Sequence, residues 1–259
     1  MTTATNLVAD QTVVVTGGAS GIGRGVALTF AEHGADVVVA DIRETPREGG
    51  TPTVERVREE TDRDAAFVEC DVTLEGEFDP VLEAAEEFGG VDTLVNNAAI
   101  ADADDFDVTT ERFEEFMAVN VRGYFLAARA VATRLVEEGR GGTIINVSST
   151  EAMRTPAARP VYAATRGAVR NLTFGFAGRF GSEGIRVNAL YPGLFKTAMT
   201  TDDIPLHDNM DAIAPRIPMG RHGELDEVGG PAVFLASDLA SYVTAAELVV
   251  DGGITYVSG

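Results

Sequence analysis

Residues 12–23 read TVVVTGGASGIG, a β-branched run that breaks into glycines and then opens an amphipathic stretch over 21–34. Val and Thr suit a pleated backbone. Glycines at 17, 21 and 23 give the spacing G-x-x-x-G-x-G at the point where strand gives way to helix. Gly17 permits the tight turn, Gly21 lets backbone approach a pyrophosphate, and Gly23 lets the helix lie close on the sheet. The helix start, with Ser20 and Ile22 beside those glycines, presents free N–H groups to phosphate oxygens. Glycines at such turns are common punctuation, so the motif gains weight from its surroundings. The next strand, DVVVAD (36–41), ends in Asp41, 18 residues beyond Gly23. An acid there accepts a hydrogen bond from a ribose 2′-hydroxyl and repels a 2′-phosphate. The expected cofactor is NAD in preference to NADP, with Arg24 a nearby cation that softens the preference.

Outward from this turn the pattern repeats. Strand-like runs lie at 65–70, 92–97, 142–149, 184–190 and 247–253, making seven in all. Helical patterns lie near 53–62, 80–88, 109–118, 120–138, 161–181 and 225–236. The strands are continuous Val/Ile/Leu runs, the signature of parallel strands buried on both faces. Strict strand–helix alternation implies right-handed crossovers and an α/β, doubly wound, mostly parallel seven-stranded sheet flanked by helices. No linker, low-complexity tract or short repeat interrupts it, so one domain over 1–259 is expected. The acidic stretch ADADDFD (101–107) reads as a solvated loop plus the cap of the helix that follows.

Charge and composition exclude several classes. Acidic residues number 41 against 20 basic ones, a net charge of −21, and 19 of the 20 cations are arginine. Phosphate backbones would meet a repulsive field, so a nucleic-acid partner is not expected. The balance suits a folded protein in a salt-rich cytoplasm, where screening shortens the reach of self-repulsion. No apolar run approaches the ~20 residues of a membrane span, and MTTATNLVADQT lacks the features of a signal peptide. A cytoplasmic location without membrane contact follows as the expectation. One cysteine, Cys70, precludes an internal disulfide and reads as a small buried residue. His33, His207 and His222 are scattered without helix-ligand spacing, so no metal site is expected. Ser20 stands outside a G-x-S-x-G elbow, which argues against a hydrolase.

Polar residues collect at the carboxyl ends of the strands, where a doubly wound sheet binds its ligand. Asp71 follows the third strand, Asn96 closes the fourth, Ser148 and Ser149 close the fifth, and Pro192–Gly193 follow the sixth. Singly, each is an ordinary cap or turn residue. Together, with Tyr162 opening the next helix, they outline a site.

With TGGASGIG (16–23), CDVT (70–73), NNAA (96–99), VNVRG (119–123), INVSS (145–149), YAATR (162–166), YPGLFKT (191–197) and VDGG (250–253), the chain resembles the short-chain dehydrogenase/reductase family over nearly all its length. The resemblance implies a Rossmann-type domain and a nicotinamide cofactor. It assigns Asp71, with Val72 beside it, to the adenine end and Asn96–Asn97 to the loop beside the cofactor. Asn120 is assigned to the proton relay, Ser149 to the substrate oxygen and Tyr162 to acid–base chemistry. The segment Pro192, Gly193, Phe195 and Thr197 is assigned to the nicotinamide and phosphate side. It also implies a substrate lid over roughly 198–222 and a homotetramer or homodimer, for which the apolar ITYVSG (254–259) suits a subunit contact. The substrate class is a small-molecule alcohol or ketone: a secondary alcohol, a sugar or a 3-oxoacyl thioester. The lid carries Asp202, Asp203, Asp208 and Asp211, which disfavours a strongly anionic one.

Two residues depart from the family pattern. Ala99 replaces a usual glycine, and Arg166 stands where the family has a lysine. Free tyrosine has a pKa near 10, and lowering it by about 3 units takes about 4 kcal/mol of preferential phenolate stabilisation. Residues four apart share a helix face, so Arg166 can hold a fixed cation near Tyr162 and donate to ribose hydroxyls. It cannot readily lose and regain a proton. Two functions stay open on these residues: an NAD(P)-dependent oxidoreductase, or a catalytically impaired dinucleotide-binding sensor or assembly protein.

Overall fold

A computed structural model describes residues 6–103, 105–203 and 210–257. Seven strands, β1 (Thr12–Thr16), β2 (Asp36–Asp41), β3 (Ala65–Glu69), β4 (Thr93–Asn96), β5 (Gly142–Val147), β6 (Ile185–Pro192) and β7 (Glu247–Val250), form a sheet in the order β3-β2-β1-β4-β5-β6-β7. Every pairing is parallel. The helices are α1 (Gly21–Glu32), α2 (Thr53–Glu60), α3 (Phe78–Glu86), α4 (Thr110–Met117), α5 (Tyr124–Glu137), α6 (Pro160–Phe180), α7 (Met210–Ile213) and α8 (Asp226–Ala236).

The continuous apolar runs have the expected cause. Val13, Val15, Val37 and Val39 point into one core layer with Phe30, Val228 and Leu235. Val14, Val38 and Ala40 point into the other with Val81, Val131 and Leu135. Successive side chains of a strand face opposite ways, so two covered faces demand an apolar residue at each position. On the first face α1 meets α8 where a Cβ on Gly25 would lie 2.6 Å from the Leu225 side chain. No larger residue fits that approach.

Boundaries shifted where side chains claim backbone groups. The seventh strand stops at Val250, because Asp251 accepts hydrogen bonds from Gly253 N–H at 2.7 Å and Thr255 N–H at 2.9 Å and turns the chain. Between α4 and α5 there is no break; Ala118–Gly123 is a widened, π-type turn that contains Asn120. Such turns are over-represented at functional sites. Cys70 is buried as expected, and burial pushes its thiol up to about 12.

The acidic loop departs from its reading. Thr109 caps α4 through Arg112 N–H. Asp105 is fully buried instead, and its carboxylate accepts from Val161 N–H at 3.0 Å and Tyr162 N–H at 2.5 Å. The cap serves α6, more than fifty residues onward, and it fixes the first turn that carries Tyr162. A further part of the expected lid, residues 204–209 with His207 and Asp208, lies outside the described residues.

Candidate active site

Strand order reverses between β1 and β4, and the crevice of a doubly wound sheet opens at such a point. A cavity of about 480 Å³ lies there. Its lining includes Gly17, Ser20, Gly21, Ile22, Asp41, Asp71, Val72, Asn97, Tyr162, Arg166 and Thr197. Gly23, Asn120, Ser149, Pro192, Gly193 and Phe195 do not line it.

The glycines are required by geometry. Gly17 has φ +65°, a left-handed conformation, and a Cβ there would meet Ala98 Cα at 2.9 Å. A Cβ on Gly23 would stand 2.2 Å from the Gly17 carbonyl oxygen, so helix and turn can close only on glycine. Asn97 clamps the turn from β4, donating from Nδ2 to the carbonyls of Thr16 at 3.1 Å and Gly17 at 3.2 Å. Asn96, paired with it in the sequence reading, faces inward and donates to Asn146 Oδ1 and the Tyr124 carbonyl. Asn96 is the last residue of β4 and Asn97 the first beyond it, and the two neighbours face different ways.

At the end of β2, Asp41 accepts from Ala19 N–H at 3.1 Å and Arg43 N–H at 3.3 Å. Burial pushes its carboxyl above the ordinary value, while those N–H groups pull it back. Arg24 is engaged with Thr53 and the Thr51 carbonyl, away from the cavity. The cations at this end are Arg43 and Arg47, which the sequence reading passed over. Arg47 donates its N–H to Ser20 Oγ and forms a two-pronged ion pair with Asp203 at 2.7 and 2.8 Å. Asp202 stands 3.8 Å from the same guanidinium. These two lid acids therefore face a cation beside the crevice rather than forming a bare acidic wall.

Among the described residues Arg166 is the largest fully buried side chain. Its Cζ lies 4.9 Å from the centroid of the Tyr162 ring and 5.5 Å from that of Tyr124. Nη1 donates to Tyr124 Oη at 3.2 Å and the Val147 carbonyl at 3.3 Å. Nε and Nη2 are buried without partners. Tyr124 donates to the Val147 carbonyl at 2.8 Å, and burial pushes its phenol pKa up. A buried guanidinium with two idle donors is costly, and in native proteins such a group meets an acceptor. Arg166 is among the residues that line the cavity.

Asn120 spends its side chain on the chain segment after β4, pairing with both the N–H and the carbonyl of Ile100 at 2.9 Å and reaching Thr165 Oγ1 at 3.3 Å. Ser148 and Ser149 part company: Ser148 lines the first cavity, and Ser149 lines a second one of about 500 Å³ with Gly193 and Leu194. Ser149 Oγ accepts from Glu151 N–H at 3.2 Å. Phe195 packs into the core against Gly223. Among the described residues no cluster of metal-ligating side chains occurs, and no helix is long and apolar enough to cross a membrane.

A glycine-built turn on a doubly wound parallel sheet, with a crevice where the strand order reverses, defines a Rossmann-type α/β protein. Comparison narrows this. The family model described as "Enoyl-(Acyl carrier protein) reductase" matches residues 17–255. The chain is 38% identical over 250 residues to the L-rhamnose 1-dehydrogenase (NAD(P)(+)) of Azotobacter vinelandii, covering 96% of this chain and 98% of that one. A short-chain type dehydrogenase/reductase from Mycobacterium marinum superposes with TM-score 0.88 at 33% identity, over 97% of this chain and 98% of that one. A gluconate 5-dehydrogenase from Burkholderia cenocepacia, solved with NADP and tartrate, gives TM-score 0.85 at 34% identity over 98% of both chains. The chain belongs to the short-chain dehydrogenase/reductase family and is an oxidoreductase.

Proposed function

We propose that the protein interconverts a secondary alcohol of a sugar or polyol with the corresponding carbonyl, using NAD in preference to NADP. The observation that carries this is the Tyr162–Arg166 couple with its two unpartnered buried donors. A dinucleotide fits the residues present: the Gly17–Gly23 turn and the α1 N-terminus take the pyrophosphate, Asp71 and Val72 flank the adenine end, and Thr197 borders the phosphate side. Arg166 Nε and Nη2 supply donors for ribose hydroxyls. When bound, the nicotinamide supplies hydride acceptance or donation.

The chain supplies the rest. Tyr162 Oη takes the hydroxyl proton during oxidation and returns it during reduction. Arg166 holds a permanent positive charge against the Tyr162 ring, Cζ 4.9 Å from its centroid, a guanidinium being always protonated. Ser149 donates to the substrate oxygen as charge develops on it. Asn120 holds the chain after β4 against the widened turn and reaches Thr165, whose hydroxyl donates to the Tyr162 carbonyl at 2.7 Å. Asp41 favours NAD by accepting from the 2′-hydroxyl. The relatives named for L-rhamnose and gluconate support a sugar-like substrate.

Tyr162→Phe tests this directly. A panel of sugars, polyols and ketones, followed by nicotinamide absorbance, should show wild-type turnover and a loss of about 100-fold or more in the variant. Intact turnover in the variant would end the proposal.

A further inference from the structure

Glu151 stands two residues past Ser149 on the short turn Thr150–Ala152 and lines the same cavity. Its carboxylate forms a close ion pair through Oε1 with Nη2 of Arg159, and the two side chains are only 15% and 11% exposed. Arg159 occupies the N-cap position of α6, and its Cζ lies 6.0 Å from the Tyr162 ring centroid. The ion pair thus ties the turn bearing Ser149 to the helix bearing Tyr162. One atom is left over. Glu151 Oε2 is buried and has no hydrogen-bond partner.

We propose that Glu151 is a specificity-determining residue: Oε2 accepts a hydrogen bond from a hydroxyl on the carbon next to the reacting alcohol, so that vicinal diols and polyols are preferred to simple secondary alcohols. The inference rests on the reading of Ser149 and Tyr162 given above, and it goes beyond that reading by naming the feature the substrate must carry. An ionised carboxylate is an acceptor only, so a donor must come from the ligand. Arg159 neutralises the charge and leaves the second oxygen's lone pairs unspent. A substrate with the neighbouring hydroxyl satisfies that oxygen. One without it buries the acceptor unpaired, and sites built to bond a hydroxyl discriminate strongly against analogues that lack it. Arg154 and Arg216 also line the cavity, but both are exposed and do not contend for this role.

The test takes each alcohol that the wild-type enzyme turns over and its deoxy analogue lacking the neighbouring hydroxyl. The readout is the ratio of their kcat/KM values, which a merely structural role would not move. Wild type should favour the hydroxyl-bearing partner by about 10–100-fold. Glu151→Leu should bring the ratio near one, and Glu151→Gln, which keeps an acceptor oxygen, should retain part of it. Should Glu151→Leu fail to fold because Arg159 loses its partner, the double variant Glu151→Leu/Arg159→Leu removes both charges and reads the same ratio. A ratio near one in the wild type, or one unchanged in the Leu variants, overturns the inference while leaving the oxidoreductase reading in place. No turnover of any alcohol by the wild type overturns both.

Discussion

The guanidinium of Arg166 lies against the ring of Tyr162, Cζ to centroid 4.9 Å, and is wholly enclosed by protein. One of its nitrogens is held by Tyr124 and the Val147 carbonyl, while the other two have no partner. Its position is set by β5 and α5 as well as by α6, so the four-residue spacing from Tyr162 is only part of the cause.

Arg166→Met removes both idle donors and the charge. The dissociation constant for dinucleotide should rise by about 10–100-fold, read by fluorescence titration or calorimetry. Arg166→Lys restores a cation with rotatable donors and should recover part of the affinity and of kcat. Unchanged affinity in the Met variant would show that these donors do not meet the cofactor.

Asp41→Asn probes the ribose end. Burial raises the carboxyl pKa in the folded state, so the folded protein holds that proton more tightly than the unfolded chain does. The group's contribution to stability is present below its ordinary value of 3.8 and is lost as pH rises through the folded value. Ionised Asp41 is then a net cost at pH 7. The ligand-free Asn variant should match or exceed the wild-type thermal midpoint, while its preference for NAD over NADP falls by about tenfold or more. A ratio that does not move would remove Asp41 as the ribose reader.

Asp105→Ala strips two backbone N–H groups at the start of α6 of their acceptor. Stability should drop by about 1–3 kcal/mol in denaturant unfolding. Because Tyr162 N–H is one of the two donors, kcat should fall more than stability alone explains. Asp105→Asn, which keeps an acceptor, should recover most of both.

The net charge of −21 bears on where the protein works. We propose a salt-adapted chain, and the thermal midpoint should climb steadily from dilute buffer to molar potassium chloride as screening relaxes repulsion among carboxylates. Exposed pairs such as Arg56–Glu60 contribute only about 0–1 kcal/mol each and weaken with salt. A midpoint that falls with salt would show that such pairs outweigh the net repulsion.

The sheet was legible in the sequence. TVVVT and DVVVAD form strands over those same residues, since a strand covered on both faces carries an apolar side chain at each position and a local window detects that. The glycine turn was legible too, because its requirement is local: backbone that must twist or touch admits no Cβ. What the sequence could not reveal depends on segments far apart in the chain. Asp105 looks like any loop acid until folding carries it to the N-terminus of α6. Asn96 and Asn97 look interchangeable until folding turns one inward and the other toward the glycine turn. Arg166 reads as one partner of a helical pair, and tertiary packing alone leaves two of its nitrogens without acceptors. Glu151 and Arg159 carry no motif or periodicity in the sequence that marks them as buried. Only the approach of the turn after β5 to α6 takes them out of water, and a buried charge, unlike an exposed one, must be answered by a partner or a ligand.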